Sequence, residues 1–394
     1  MSYLDKVLAL PRKNFGTIPE NKTSPLIVKK LLNELGVLPF SFKTIHVAGT
    51  NGKGSVCSKV ALSLSDATKR VGLFTSPHLL SFYERISIIE NEILPISQEE
   101  FEDYSDTVWK KYQLIGESPN FFDFITALSL FYFAKKNVSI AVIETGIGGR
   151  YDPTNVVDPI LSIITSIGYD HQNLLGSSLE QIAWHKAGII KSSHLILGPS
   201  VIQKTIHDEI LLKKVSFEHV DDVTLDYDDE NELIAKKALN YLKTLGYLAF
   251  APKEKAVTIN PRGRFERVTH EGSDWILDVA HNLDGIKKLF DKYQRIFADI
   301  KPIVIFSVSS DKDYQLMTEI LYEISHQVIA PRINDHRALD PDLLKLSQKF
   351  EVASNVKQAV EIANNYSKKL KLPVVVCGSF LIVREVIKMI QPAL

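Results

Sequence analysis

The chain has 394 residues, 45% of them hydrophobic, enough for more than one core, so two domains are expected. Lys and Arg number 46 against 47 Asp and Glu, a formal charge of −1, so no basic bias favours nucleic acid or an anionic membrane as a partner. Only two cysteines occur, Cys57 and Cys377, no apolar run reaches membrane-spanning length and the N-terminus lacks an apolar signal core; these features argue against a disulfide framework, a membrane span and secretion, and a cytoplasmic protein is expected.

Taken in order, the periodicity predicts a strand over 43–48, a glycine-rich turn, and a helix over 55–69. A strand at 71–75, a helix at 121–136, strands at 140–145 and 160–166, a helix at 179–187 and a strand at 194–198 follow. Such alternation argues for a mostly parallel sheet with helices on both faces, and its functional loops gather at the carboxyl ends of strands. Residues 221–232 are acidic without an apolar period and read as a solvated connector, after which Asn231 opens a helix over 233–245. Two prolines and little apolar pattern over 251–264 place a boundary there, giving domains 1–258 and 259–394. The second domain repeats the alternation, with strands at 275–279, 303–308, 327–330 and 374–377 and helices at 285–297, 314–324, 356–370 and 380–390.

The turn after the first strand reads Gly49-Thr50-Asn51-Gly52-Lys53-Gly54-Ser55. Three glycines let the backbone turn sharply and bring N–H groups near an anion, and the following helix points its positive end at the same place. Lys53 adds a mobile charge for the outer phosphates of a nucleotide. The usual phosphate loop has four residues before its Gly-Lys pair and Ser or Thr directly after Lys. Here only Thr50 and Asn51 intervene and Gly54 follows Lys53, so the hydroxyl that normally holds magnesium is missing and another group must hold the metal. Glu144 ends an apolar strand ahead of G-I-G-G-R and is a hard oxygen ligand suited to Mg²⁺.

Five motifs in order resemble the folylpolyglutamate synthase/dihydrofolate synthase family, a branch of the Mur ligases. They are G-T-N-G-K-G-S (49–55); T-S-P-H-L with E-R-I (75–79, 84–86); E-T-G-I-G-G-R-Y-D-P-T-N (144–155); D-H-Q-N-L-L-G with H-K-A-G-I-I-K (170–176, 185–191); and D-V-A-H-N (278–282). The resemblance implies an α/β chain: an N-terminal P-loop-type, mostly parallel-sheet ATPase domain followed by a smaller Rossmann-like α/β domain. It adds Ser76 and His171 to Glu144 as magnesium ligands, although a lone His is usually structural. Lys186 reads from its residues as a helix-surface charge or as a cation at a helix C-terminus; the resemblance implies a carbamate made there from CO₂, since a partly buried lysine loses basicity and the neutral amine is the reactive form. Arg264, with Arg262 as its competitor, matches the linker arginine that reaches the ATP phosphates. Asp278 matches the ATP-contacting aspartate and His281 its companion in ligation. Val279 and Leu283 stand where the family has Gly and often Pro. Asn231 matches a nucleotide-contacting Asn, or is a plain helix cap. Ser310-Asp311-Lys312-Asp313 resembles a nucleotide-side loop, and Asn120, Phe122 and Asp152 fall on the pterin side, with core packing as the other reading of Phe122.

The function implied is an ATP- and Mg²⁺-dependent ligase joining L-glutamate to dihydropteroate, to a reduced folate, or to both, through an acyl phosphate. Domain closure would bring Arg264, Asp278 and His281 onto nucleotide held by the Lys53 loop. A monomer is expected. The rivals are a Mur-type ligase acting on a cell-wall precursor, a nucleotide-binding regulator without turnover, and a P-loop kinase, which the shortened loop disfavours.

Overall fold

The computed structural model describes residues 2–11, 24–65, 70–117, 120–191, 194–221, 226–247, 257–344 and 349–391. Parts of the expected acidic connector (222–225), of the proline-containing boundary (251–256) and of the first predicted helix (66–69) lie outside them. The chain forms two compact units, Met1–Ile259 and Asn260–Leu394.

Unit 1 is an eight-stranded sheet in the order β4-β3-β2-β5-β1-β6-β7-β8. Its strands are β1 Lys43–Ala48, β2 Val71–Phe74, β3 Ile86–Ile89, β4 Ile93–Pro95, β5 Ile140–Glu144, β6 Leu161–Ile164, β7 His194–Leu197 and β8 Phe217–His219. The six from β2 to β8 along that order pair in parallel, while β3 and β4 run antiparallel at one border. Helices α1 Tyr3–Leu8, α2 Ser24–Glu34, α3 Lys53–Leu64, α4 Gln98–Ile115, α5 Phe121–Lys135, α6 Gln172–Leu175, α7 Leu179–Ala187, α8 Lys204–Lys213 and α9 Tyr227–Thr244 accompany it.

Strand alternation sorts the core. Ala141 and Ile143 of β5 join Phe124, Leu128 and Phe131 of α5 in one cluster. Val142, with Ile45, Val47 and Ile163, joins Val56 and Val60 of α3 and Ile234 and Leu242 of α9 in another. Side chains two apart share a face, so these short apolar runs are covered on both sides.

The acidic stretch corrects an expectation. Helix α9 begins at Tyr227, capped by Asp226, whose side chain accepts from Asp228 and Asp229 N–H. Asn231 therefore lies inside the helix and is buried, not at its cap. The acids 228–230 occupy the first turn, where the helix dipole favours negative charge.

Unit 2 is a six-stranded sheet in the order β13-β12-β11-β14-β10-β9. Its strands are β9 Glu266–His270, β10 Ser273–Leu277, β11 Ile303–Phe306, β12 Gln327–Pro331, β13 Phe350–Ala353 and β14 Val374–Cys377. All pair in parallel except β9, which runs antiparallel to β10. Helices Leu283–Phe297, Tyr314–Ile324, Val356–Leu370 and Phe380–Ile390 complete the alternation.

Candidate functional site

The loop between β1 and α3 is held by the segment after β6. Thr50 N–H donates to Ser166 O (2.9 Å) and Asn51 N–H to Ser166 Oγ (2.9 Å). Thr165 Oγ1 donates to Asn51 O at 2.6 Å, and Thr50 Oγ1 both donates to Gly168 O (3.1 Å) and accepts from Gly168 N–H (3.0 Å). A Cβ on Gly49 would stand 1.9 Å from Thr165 Oγ1, so only glycine allows this approach. Gly52 has φ +83°, begins α3 with no side-chain cap, and would meet Asn231 Oδ1 at 2.3 Å if it bore a Cβ. The start of α3 is thus a helix end whose N–H groups and dipole suit an anion.

Two lysines converge on one carbonyl. Lys53 curls back so that Nζ donates to Gly49 O (3.1 Å) and Thr50 O (3.3 Å). Lys186, in the last turn of α7, donates to the same Gly49 O at 2.8 Å and is only 4% exposed. Burial, then the charge of Lys53, lower its pKa from 10.5 to about 7, with Asp170 and Asp152 opposing. The surface-charge reading of Lys186 is therefore overturned. Its placement follows from glycine contacts between two motifs. A Cβ on Gly149 would stand 3.0 Å from His185 O, and one on Gly188 would stand 2.2 Å from Arg150 Cα. Arg150 N–H donates to His185 O (2.7 Å), and its guanidinium lies 4.2 Å from the Trp184 ring centre.

Glu144, buried at the end of β5, accepts from Ser76 N–H at 2.9 Å. A Cβ at Gly54 would stand 3.4 Å from Glu144 Oε2, so the carboxylate faces the first turn of α3, where the phosphate loop lacks its hydroxyl. Among the described residues no group of three or more His, Cys, Asp or Glu side chains is arranged to hold a metal. One buried carboxylate beside a phosphate loop nonetheless suits Mg²⁺, which keeps waters and phosphate oxygens for most of its shell. His171 lies after β6 in the left-handed region (φ 50°), its N–H donating to Asp170 Oδ1 at 2.7 Å. Ser76 and Glu144 are brought together through a backbone N–H.

On the pterin-side set, Asn120 caps α5, its Oδ1 accepting from Phe122 and Asp123 N–H, each at 3.0 Å. Phe122 lies beside Phe74 (5.8 Å between ring centres), and a Cβ on Gly146 would meet it at 2.5 Å. Asp152 is buried; Oδ2 accepts from Gly146 and Ile147 N–H, and Oδ1 from Thr154 N–H, each at 3.0 Å. Thr154 Oγ1 adds a fourth bond at 2.5 Å, and burial pushes the carboxyl up to about 6 against these donors. Asp152 thereby shapes the loop that carries Phe122's neighbour Gly146. His46 of β1, wholly buried and held near pKa 3 chiefly by burial, meets Thr154 Oγ1 at 2.9 Å through Nε2.

In unit 2, Asp278 ends the β10 segment and accepts from Phe265 N–H and Ala280 N–H, each at 2.8 Å. His281 Nδ1 sits 2.8 Å from Val279 O, so this nitrogen donates to the carbonyl. Phe380 carries both His281 (5.8 Å between rings) and the Arg264 guanidinium (5.3 Å). Arg262 instead binds Glu266 (2.8 Å) and Gln391 (2.5 Å). Arg264 is thus the arginine that shares Phe380 with His281.

Sequence reasoning missed the braces. Thr165 and Ser166 support the phosphate loop, Phe380 underlies the second-unit residues, and Glu84 accepts N–H bonds from Leu79, Leu80 and Ser81, fixing the T-S-P-H-L turn. For Glu84 a signal existed: Ser81 and Glu84 form a capping box.

A family model described as the Mur ligase middle domain matches residues 47–266, and one described as Mur ligase, glutamate ligase domain matches 263–380. The dihydrofolate synthase/folylpolyglutamate synthase of Bacillus subtilis is 33% identical over 344 residues, 76% of this chain and 79% of that protein. E. coli FolC in complex with DHPP and ADP superposes with a TM-score of 0.85 at 25% identity, covering all of this chain and 98% of that one. The bifunctional folylpolyglutamate synthase/dihydrofolate synthase of Yersinia pestis, complexed with AMPPNP and a Mn ion, gives 0.82 at 25% identity over 98% and 97% of the two chains.

Proposed function

The chain belongs to the dihydrofolate synthase/folylpolyglutamate synthase family of Mur ligases, and we propose from that premise how its residues divide the work. It is an ATP-dependent carboxylate–amine ligase that adds L-glutamate to dihydropteroate, a reduced folate, or both. A pterin-bearing carboxylate takes the γ-phosphoryl group of ATP to form an acyl phosphate, and the glutamate amine then displaces phosphate.

The glycine loop and Lys53 hold the triphosphate, with Asn231 buried against Gly52. Glu144, Ser76 and His171 would hold the divalent cation, which supplies neutralisation of the phosphate charge. Lys186 lies at the floor of the loop with its basicity lowered, the condition under which its amine adds CO₂, loses a proton and becomes an anionic carbamate. Asn120, Phe122 and Asp152 line the pterin side, with Asp152 acting mainly by shaping its loop. Arg264, Asp278 and His281 serve the phosphates and the ligation step. No helix among the described residues is long and apolar enough to cross a membrane.

The observation that carries this reading is the meeting of buried Lys186 and Lys53 on Gly49 O. Purified protein with ATP, Mg²⁺ and glutamate, offered dihydropteroate or tetrahydrofolate in separate tubes, should yield a product heavier by one glutamyl residue in at least one tube. ATP-dependent ligation of a cell-wall precursor alone would transfer the protein to the rival branch, and ATP binding without any product would make it a regulator.

A further inference from the structure

Helix α3 carries a lysine where a core residue belongs. Every residue from Ser55 to Leu64 is buried, and Lys59 is 1% exposed. Lysines are almost never fully buried, because removing an ammonium from water is costly unless strong acceptors replace the hydration. The acceptors here are main-chain carbonyls: Nζ donates to Val257 O at 2.7 Å and to Ile259 O at 3.3 Å, nearly 200 positions away. Those residues are the last of unit 1, which ends at Ile259. Val257 is itself buried in the cluster formed by Val56, Val60, Ile234 and Leu242.

The segment leaving unit 1 is therefore pinned twice, by its side chain in the core and by its backbone on Lys59. The helix that pins it is the one that starts at the phosphate loop. Arg264, the linker arginine, follows a few residues beyond Ile259. We propose that Lys59 is a positioning residue: it fixes the start of the inter-unit linker to the phosphate-loop helix and so sets where Arg264 begins its reach.

The test uses the full chain with Lys59→Met, which keeps length and apolar stem but has no donor, and Lys59→Gln, which keeps a shorter donor. Loss of charged hydrogen bonds should raise amide hydrogen exchange over 257–264 about tenfold in the methionine variant, with the glutamine variant between it and the parent. In the ligase assay kcat should fall about tenfold while KM for ATP stays within about twofold, because the loop itself is untouched. The exchange arm is independent of the ligase reading and the turnover arm rests on it, so failure of the two is distinguishable. If the methionine variant does not fold, the glutamine variant carries the same two readouts. Unchanged exchange over 257–264 in a folded variant overturns the proposal. So does exchange raised equally along α3, α9 and 257–264, which would make Lys59 only a core side chain.

Discussion

The residues assigned to chemistry are held in opposite ways in the two units. In unit 1 the phosphate loop, Lys186 and Glu144 are tied across the chain: Lys186 reaches Gly49 over 137 positions, Ser166 reaches Asn51 over 115 and Glu144 reaches Ser76 over 68. In unit 2 Asp278 binds Phe265 and Ala280, 13 and 2 positions away, and His281 binds Val279, 2 away. The first arrangement exists only when β1, β2, β5, β6 and α7 are assembled, whereas the side-chain hydrogen bonds of the second lie within one loop and the turn before β9, with Phe380 as the distant support under His281 and Arg264. A substitution in the first should disturb several loops together; one in the second should act on a single turn.

The sharpest way to break this contrast is Lys186→Ala. Ligation should fall about a thousandfold, since the anionic carbamate proposed at this buried position beside the Gly49 turn is lost from a preorganised site. Acetate should restore part of it by standing in for the proposed carbamate, and stripping bicarbonate should slow the parent enzyme reversibly. An active alanine variant would leave Lys186 as a mere prop for Gly49. The pH dependence has a definite sign. The folded pKa, about 7, lies below the ordinary 10.5, so between these values the unfolded chain holds more protons and the stability contributed at Lys186 rises with pH. The neutral amine gains population through the same lower limit, so bicarbonate-restored activity should climb with a midpoint near pH 7.

Lys53→Ala comes next, with turnover down about a hundredfold and the melting temperature little changed, because Lys53 is only partly buried and its carbonyl contacts are local. Near-normal turnover in a folded variant would remove the loop from the mechanism. Glu144→Gln should raise the Mg²⁺ needed for half-maximal rate about tenfold through the lost charge on a hard cation; a superimposable magnesium titration would refute its role as ligand. The smallest effect is expected from Asp278→Asn. Its amide oxygen can keep one of the two N–H bonds, so stability should drop by about 1 kcal/mol while turnover falls roughly tenfold. A stability loss of several kcal/mol would show that the unit 2 loop is not the local device described here.

Much of this was legible in the sequence because it is written in local pattern. The predicted helices 179–187, 314–324, 356–370 and 380–390 coincide with the observed ones, since each has a continuous apolar face and a clear stop. The border strands carry no such pattern. β9 alternates only half-buried and exposed positions and lacks an apolar stripe, and β3 and β4 form a short hairpin around Asn91 at φ 88°. Asn231 falls inside α9 because an acidic run that looks like a solvated tether also marks a helix start when it follows an Asp cap. Lys186 shows the limit most clearly. Nothing in W-H-K-A-G distinguishes a buried lysine from a solvated one; its burial arises when Gly149 and Gly188 let two distant segments close on each other.

The borders of the unit 1 sheet bear on its solubility under stress. The eight strands taper at both borders to three residues, β4 on one side and β8 on the other. Pro95, the last residue of β4, has no N–H to offer a neighbour. Amyloid growth stacks segments of about six or seven residues in unbroken ladders. An extended segment from another chain laid along either border would find half that length, so the native sheet is a poor seed for fibrils.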